Sequence, residues 1–518
     1  MKVGDHRGRS AAPVRSIRKV PGTPRTATAP ALTTAPTSTT TRIAALPWPA
    51  ILLGVLTITV IVGTVVFPSY TTYDATYSLL WGREILHGEM PSFANYRAPT
   101  EHPLGLVFGM FFALFGRAGD RLMLLATLGS FIVMVMGLYR LGREAFTKLV
   151  GVVAAIIICT RFDFPFLAAR GYIDIPYLAL LLWAASMESA RTRRGTPVLV
   201  LLTLAGLLRP EAWILAGLYW LWLFPALSWG ERIRTALIVA SAPIIWSGVD
   251  YIVTGDPLFS QNHTTTVSEE LGRQKGIAEI PAQTLLFMTQ LVKLPVVVAG
   301  VIGTVLACVL APRRSRVPLA LLVIGLATFL LLSVGGFSVI NRYLLLPAVL
   351  LMLFAAFTAG GFTILVPGRM RTIWASAAAL GVLFVVVWTV LRVDLTQLTS
   401  ELRYRGTSVE ALTSLLDEPA VRAGAKCGPV LTSNHRMIPS VRWIMDLPAD
   451  QVIARSDVEA ASKVKYGLVL LAAGRAAFLR GGLDPEHPTA ADALRNLPPV
   501  GYQPIASNDL YSVYGRCR

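Results

Sequence analysis

A chain of 518 residues that is 54% hydrophobic and only 15% charged, with a mean hydropathy of +0.58, is not an ordinary soluble protein. Its net charge of +17 would suggest nucleic acid as a partner, but the basic residues sit mainly in short loops between apolar runs. That distribution fits membrane orientation instead, and no nucleic acid is expected.

Residues 1–45 are rich in Arg, Pro, Thr and Ala, with Asp5 as their lone acid, and show no apolar period. They read as a disordered, basic, cytoplasmic tail. The first apolar run begins near Leu46 and is long enough to remain as an anchor rather than be cleaved as a leader. About eleven membrane helices follow, near 47–68, 120–139, 149–167, 175–190, 197–209, 211–227, 235–253, 284–310, 318–334, 344–366 and 372–392. The loops YRLGREAFTK, RTRRG, WGERIR, APRRSR and PGRMR are all basic and fall on the side of the tail, the cytoplasm. The segment EHPLGLVFGMFFALFG, from Glu101, is short for a span, and counting it as one would reverse the charge bias downstream. It is expected as an interfacial or re-entrant helix inside a long first outer loop, residues 69–118.

Residues 395–518 lose the membrane pattern and are expected outside as a small α/β domain. GPVLTSN and YGLVLLAA read as buried strands, PIASNDLYSVYG as a closing hairpin, and VRWIMDL and TAADALRNL as helical. Cys427 and Cys517 are the cysteines outside the bilayer, on an oxidising side, and a disulfide between them would stabilise by about 4–5 kcal/mol. Cys159 and Cys308 lie in apolar helices and read as core residues. No internal repeat is evident, which counts against a transporter.

The outer loops carry acids and arginines at a similar depth. If the chain continues helically after Tyr73, then Asp74, Tyr77, Ser78 and Trp81 share one face. A carboxylate flanked by aromatics suits a sugar; a helix cap within an aromatic belt is the competing reading. In ARGYIDIP, Arg170 and Asp174 are four apart and would be neighbours in a helix, with Asp163 competing for an acidic role. In LLRPEAW, Arg209 and Glu211 flank Pro210, a favoured helix start. His263 lies in GDPLFSQNHTTT, read as a loop in which Asn262-His263-Thr264 also fits a glycosylation sequon. Arg342, in GGFSVINRYLLLP, precedes an apolar run and also fits a snorkelling residue. A shared pocket explains these recurring charges better than scattered end-caps.

Asp at the mouth of the first helix, an H-P-L segment opening an amphipathic helix, R-x-x-x-D-x-P in the second outer loop and R-Y-L-L-L-P opening a late helix occur in a familiar order. Over residues 47–350 this resembles the GT-C superfamily of integral-membrane glycosyltransferases. The likeness is to the branch with protein O-mannosyltransferases, the lipid A aminoarabinose transferase and actinobacterial mannosyl- and arabinofuranosyltransferases. The resemblance implies that Asp74 matches the catalytic aspartate and Asp174 the second-loop acid. EHPLG, with His102, looks like the family's H-P-P-L-G stretch, Leu104 standing where its second proline would fall. Arg209 matches a basic residue near the donor phosphate.

The domains expected are therefore a cytoplasmic tail (1–45), a GT-C-like transmembrane catalytic domain (46–394) and an extracytoplasmic α/β domain (395–518). The resemblance implies a polyprenyl-phosphate sugar as donor, because a soluble nucleotide sugar is not available on the outer side, and no G-x-G-x-x-G after a strand suggests nucleotide binding. The acceptor is a cell-envelope glycan, glycolipid or protein, reached in the membrane at its outer face. Asp74 is expected as general base, with Arg170, Arg209 and Arg342 on the phosphate and Tyr77, Trp81, His102, Glu211 and His263 around the substrate. No metal or other cofactor is required in this scheme, although Asp74, Asp174 and His263 could approach a divalent cation. A transporter or flippase without bond cleavage, and a non-catalytic scaffold whose outer domain binds envelope polymer, are the competing functions.

Overall fold

Apolar runs bounded by Gly, Pro and charged turns dictate helices, and helices dominate the computed structural model, which describes residues 48–518 apart from 271–279, 336, 338, 393–394 and 480–488. The tail expected over 1–45 lies outside the described residues. Among the described residues, five helices are long and apolar enough to cross a membrane: Gly116–Ala145, Trp229–Thr254, Arg316–Val334, Asn341–Ile364 and Arg369–Val390. The protein is thus a multi-pass membrane protein.

The count of eleven spans is not reached by length and composition. All eleven expected stretches contain helix, but several are short, down to the 11 residues of Thr196–Gly206, or about 16 Å against a hydrocarbon core of about 30 Å. Two expected helices are also broken. The stretch 284–310 is a pair, Ile280–Val292 and Leu294–Leu310, bent by 105°. Lys293 at the break has φ +73°, which stops an α-helix, and Pro295 cannot return an N–H to its predecessor's turn. The stretch 149–167 ends at Cys159 and restarts as Asp163–Ala168, because Pro165 has no N–H to give to Arg161 O.

Burial orders the bundle. Leu345–Gly360 is its centre, with Leu350, Leu353, Phe354 and Phe357 fully enclosed, whereas Arg369–Val390 has no buried residue and presents a continuous apolar surface suited to lipid. Leu294–Leu310 crosses the central helix almost backbone to backbone at Gly303, where a Cβ would stand 1.9 Å from Phe354 O. Cys159 is partly buried, but Cys308 points outward and is not the core residue expected.

The segment after Glu101 forms the 11-residue helix Pro103–Ala113, too short to span, packed on Tyr73–Leu86. Its Gly109 permits the crossing, since a Cβ there would meet Ser78 O at 1.9 Å. Further on, the helix Leu395–Leu416 leads into a five-stranded mixed sheet. The strands are β1 (Val430–Thr432), β2 (Val452–Ala454), β3 (Gly467–Ala472), β4 (Gln503–Ser507) and β5 (Tyr511–Arg516), in the order β2-β1-β3-β5-β4. β1 runs parallel to β2 and β3, and β5 antiparallel to β3 and β4. β3 is buried at every position, as its unbroken LVLL predicts. A core of Leu412, Leu416, Val441, Leu468, Leu470 and Tyr511 joins helix to sheet, and Cys427 and Cys517 are disulfide-bonded with Cα atoms 5.3 Å apart.

Candidate active site

Four element starts build one charged cluster. Thr72 caps Tyr73–Leu86 by accepting from Ala75 N (3.2 Å), which sets Asp74 in the first turn. Asp174 and Glu211 open the helices Asp174–Ala190 and Glu211–Leu223, where the helix dipole favours a carboxylate. Arg342 sits in the 3-10 turn Asn341–Leu344.

These residues form a continuous chain of ion pairs. Arg342 donates from Nη1 to Asp74 Oδ2 (3.2 Å) and from Nε to Asp174 Oδ2 (3.0 Å). Arg209 donates from Nη1 to the other oxygen, Asp174 Oδ1, and from Nη2 to Glu211 Oε1 (2.8 Å). The environments of the two aspartates differ. The Asp174 side chain is 1% exposed and clamped by two guanidinium groups, whereas that of Asp74 is 32% exposed and touches only Arg342 among the charged groups described.

The cluster forms part of the wall of a cavity of about 760 Å³, with Asp74, Arg170, Arg209, Glu211 and Arg342 all lining it. Its size suits a small polar ligand together with part of a lipid. His102 and His263 line it as well. The His102 imidazole is pushed down to about 3, first by burial and then by Arg209 and Arg342, so it is neutral. His263 lies in the helix Phe259–Glu270, not in the loop expected, and its Nε2 donates to Ala98 O (2.9 Å). Asn262 of the sequon is in the same helix.

Three expectations are corrected by this geometry. Arg170 is not Asp174's neighbour, because residues 168–171 form a turn closed by Gly171 (φ +79°) and the helix begins only at Asp174. Among the described residues Arg170 meets no carboxylate; it lies over the rings of Tyr70, Phe166 and Tyr172. Tyr77 and Trp81, expected around the sugar, are 0% and 1% exposed and pack with Phe93 and Trp443 away from the cavity. The next turn of the helix points inward to its partner Pro103–Ala113, so of the aromatics on that helix it is Tyr73 that reaches the cavity. Asp174, Asp74 and His263 do not gather as a cation site, since both Asp174 oxygens are held by arginine and His263 is committed to Ala98. No group of three His, Cys, Asp or Glu suited to a metal occurs among the described residues. Asp163 also stays off the cavity wall.

Other lining groups were not singled out from the sequence. Asp250 is buried in Trp229–Thr254, where a charge inside an apolar helix was a readable signal. Its Oδ1 accepts from Ser260 Oγ (2.9 Å), a hydroxyl that also bonds Glu101 Oε1. Burial, and then the adjacent Asp250 carboxylate, push Glu101 up to about 8. His435, Arg436 and Ser440 reach the cavity from the region of the sheet, and no local pattern announced them.

No family model and no curated protein sequence matches the chain. Structural likeness is clear. The crystal structure of ArnT from Cupriavidus metallidurans bound to undecaprenyl phosphate matches with a TM-score of 0.56 at 13% identity, over 91% of this chain and 98% of that one. The chain has the GT-C fold. The apo structure of the same ArnT matches over the same shares with a TM-score of 0.55. A lower likeness, TM-score 0.49 at 12% identity, relates 84% of this chain to 70% of the Archaeoglobus fulgidus oligosaccharyltransferase in its apo form. On the GT-C fold, the charged cluster occupies the starts of Tyr73–Leu86, Asp174–Ala190 and Glu211–Leu223 and the turn before Leu345–Gly360.

Proposed function

We propose that this protein is a membrane glycosyltransferase that moves a hexosyl or pentosyl group from a polyprenyl phosphate to a cell-envelope glycan, glycolipid or protein. The observation that carries the reading is an accessible carboxylate, Asp74, sharing a cavity wall with a guanidinium that meets no carboxylate among the described residues, Arg170. The ArnT structure with the same fold holds undecaprenyl phosphate, which supports a lipid-phosphate donor.

In this reading Asp74 takes the proton of the acceptor hydroxyl as its oxygen attacks the anomeric carbon. The bond from that carbon to the phosphate oxygen breaks through an oxocarbenium-like state, and its electron pair leaves with the phosphate, inverting the configuration. Arg170 and the N–H groups of Arg342 not used by Asp74 and Asp174 receive the growing phosphate charge. Asp174 is assigned to hold Arg209 and Arg342 in place, because it is buried between them. The cavity faces the outer side, with a cytoplasmic tail over 1–45, a catalytic membrane domain over 46–394 and an extracytoplasmic domain over 395–518.

The test is release of polyprenyl phosphate by purified protein from a panel of polyprenyl-phosphate sugars with mixed envelope acceptors. Release from one donor, reduced about a hundredfold or more in Asp74→Asn, is the expected result. Equal release by wild type and variant would remove Asp74 from the mechanism. Movement of intact lipid across liposomes without release would replace the transferase by a flippase.

A further inference from the structure

Arg170 is unusual in the cluster because no carboxylate balances it among the described residues, yet it is flanked on both sides. Arg405, from the helix Leu395–Leu416, lies over Phe166 with Cζ 4.8 Å from the ring centroid. Phe166 also faces Arg170 (5.3 Å), Arg170 faces Tyr172 (5.7 Å), and Tyr172 faces Arg342 (4.9 Å). Guanidinium groups and rings thus alternate five deep, from the C-terminal part of the chain to the catalytic cluster. Tyr70 braces the run, lying under Arg170 (5.6 Å) and accepting from Arg405 Nη1 (3.4 Å).

The physics of the stack is specific. Three cations in a row repel, and each ring between them presents its electron-rich face to both neighbours. The end cations have counterions: Glu401 for Arg405 (3.2 Å), Asp74 and Asp174 for Arg342. The middle cation, Arg170, meets rings and no carboxylate among the described residues. Rings orient a guanidinium without neutralising it, so the charge of Arg170 remains for an anion in the cavity. Arg170, Tyr172 and Arg342 line that cavity, whereas Phe166 and Arg405 do not and cannot touch a ligand there.

We infer that Phe166, Tyr172 and Arg405 are positioning residues that hold Arg170 aimed for the phosphate of the lipid donor, so that the helix Leu395–Leu416 serves the donor side of the site. The inference rests on the donor class proposed above. It assigns to the C-terminal part a task that acceptor binding would not require.

The experiment compares binding of undecaprenyl phosphate and of the uncharged polyprenol to full-length protein in detergent. Tyr172→Leu and Arg405→Leu are expected to weaken the phosphate about tenfold, the scale of a desolvated cation–π contact, and to leave polyprenol binding unchanged. Tyr172→Phe keeps the ring face and should bind the phosphate within about twofold of wild type. Loss of both lipids together would mark general damage to the fold and overturn the assignment, as would leucine variants that bind like wild type. Tyr172→Phe falling as far as Tyr172→Leu would overturn it too, since the hydroxyl would then be the acting group. If wild type binds the phosphate selectively but releases none from any sugar donor, the transferase reading fails while the ladder stands. If wild type does not bind the phosphate, both fall.

Discussion

At the scale of the residue, burial and neighbours separate carboxylates that look alike in sequence. Asp174, sealed between two guanidinium groups and 1% exposed, presents no surface to substrate, whereas Asp74 keeps access to the cavity. Glu101 differs again: it is 1% exposed, and its Oε2 has no partner among the described residues. Burial and the Asp250 carboxylate hold it protonated to about pH 8, against about 4.5 in the unfolded chain. Between those two values the folded state binds more protons than the unfolded state. Stability is therefore greatest at low pH and is lost as pH rises, levelling off above about 8. The unfolding midpoint, followed by tryptophan fluorescence, should fall from pH 5 to pH 8, and Glu101→Gln should flatten that slope. An unchanged slope in the variant would show that another group titrates.

At the scale of the element, the site depends on how closely Tyr73–Leu86 and Pro103–Ala113 approach. Backbone meets backbone at Ser78 and Gly109, one turn beyond Asp74. Gly109→Ala would put a methyl group 1.9 Å from Ser78 O and force the helices apart. A loss of about 1–3 kcal/mol is expected, as for other overpacked sites, with activity lost because Asp74 shifts from Arg342. Gly129→Ala is the control, since nothing lies within 4 Å of its added carbon. Thermal melts and transferase assays of the two variants should diverge; equal behaviour would mean that the crossing has slack. Packing of this kind also explains Tyr77 and Trp81. Their aromatic character was legible, but the face they occupy was set by the helix that covers them.

At the scale of the molecule, the C-terminal part is seated on the first short helices by buried charge. Arg442, fully enclosed, pairs with Glu84 and reaches Ser92 Oγ (3.3 Å), and Arg83 pairs with Asp446. Removing one partner of the buried Arg442–Glu84 pair costs far more than the pair itself contributes, so that contact fixes the seating, while the Arg83–Asp446 pair, with Asp446 73% exposed, adds little. The disulfide spans a separation of 90 residues and closes the sheet region upon itself. Cys517→Ser should cost about 4–5 kcal/mol on the loop-entropy account, read as protease cleavage of the C-terminal part at lower denaturant than in wild type. Unchanged protease resistance would show that the β4–β5 hairpin holds the sheet without the bond.

The sequence by itself determined what local chemistry controls. Apolar runs set where helices form, the unbroken Val and Leu of β3 set a buried strand, and a short apolar segment after Glu101 was too brief to span. The order of charged motifs along the chain was also enough to suggest the GT-C fold. Tertiary structure alone decided which charges meet. Arg342 and Asp74 are 268 residues apart, and their pairing depends on the rotation and breaks of every helix between them. The 105° bend at Lys293 and the turn that carries Arg170 away from Asp174 arise from backbone angles that no apolar period encodes. For the same reason the cavity contributions of Asp250 and His435, and the stack from Arg405 to Arg342, became visible only once the helices were packed.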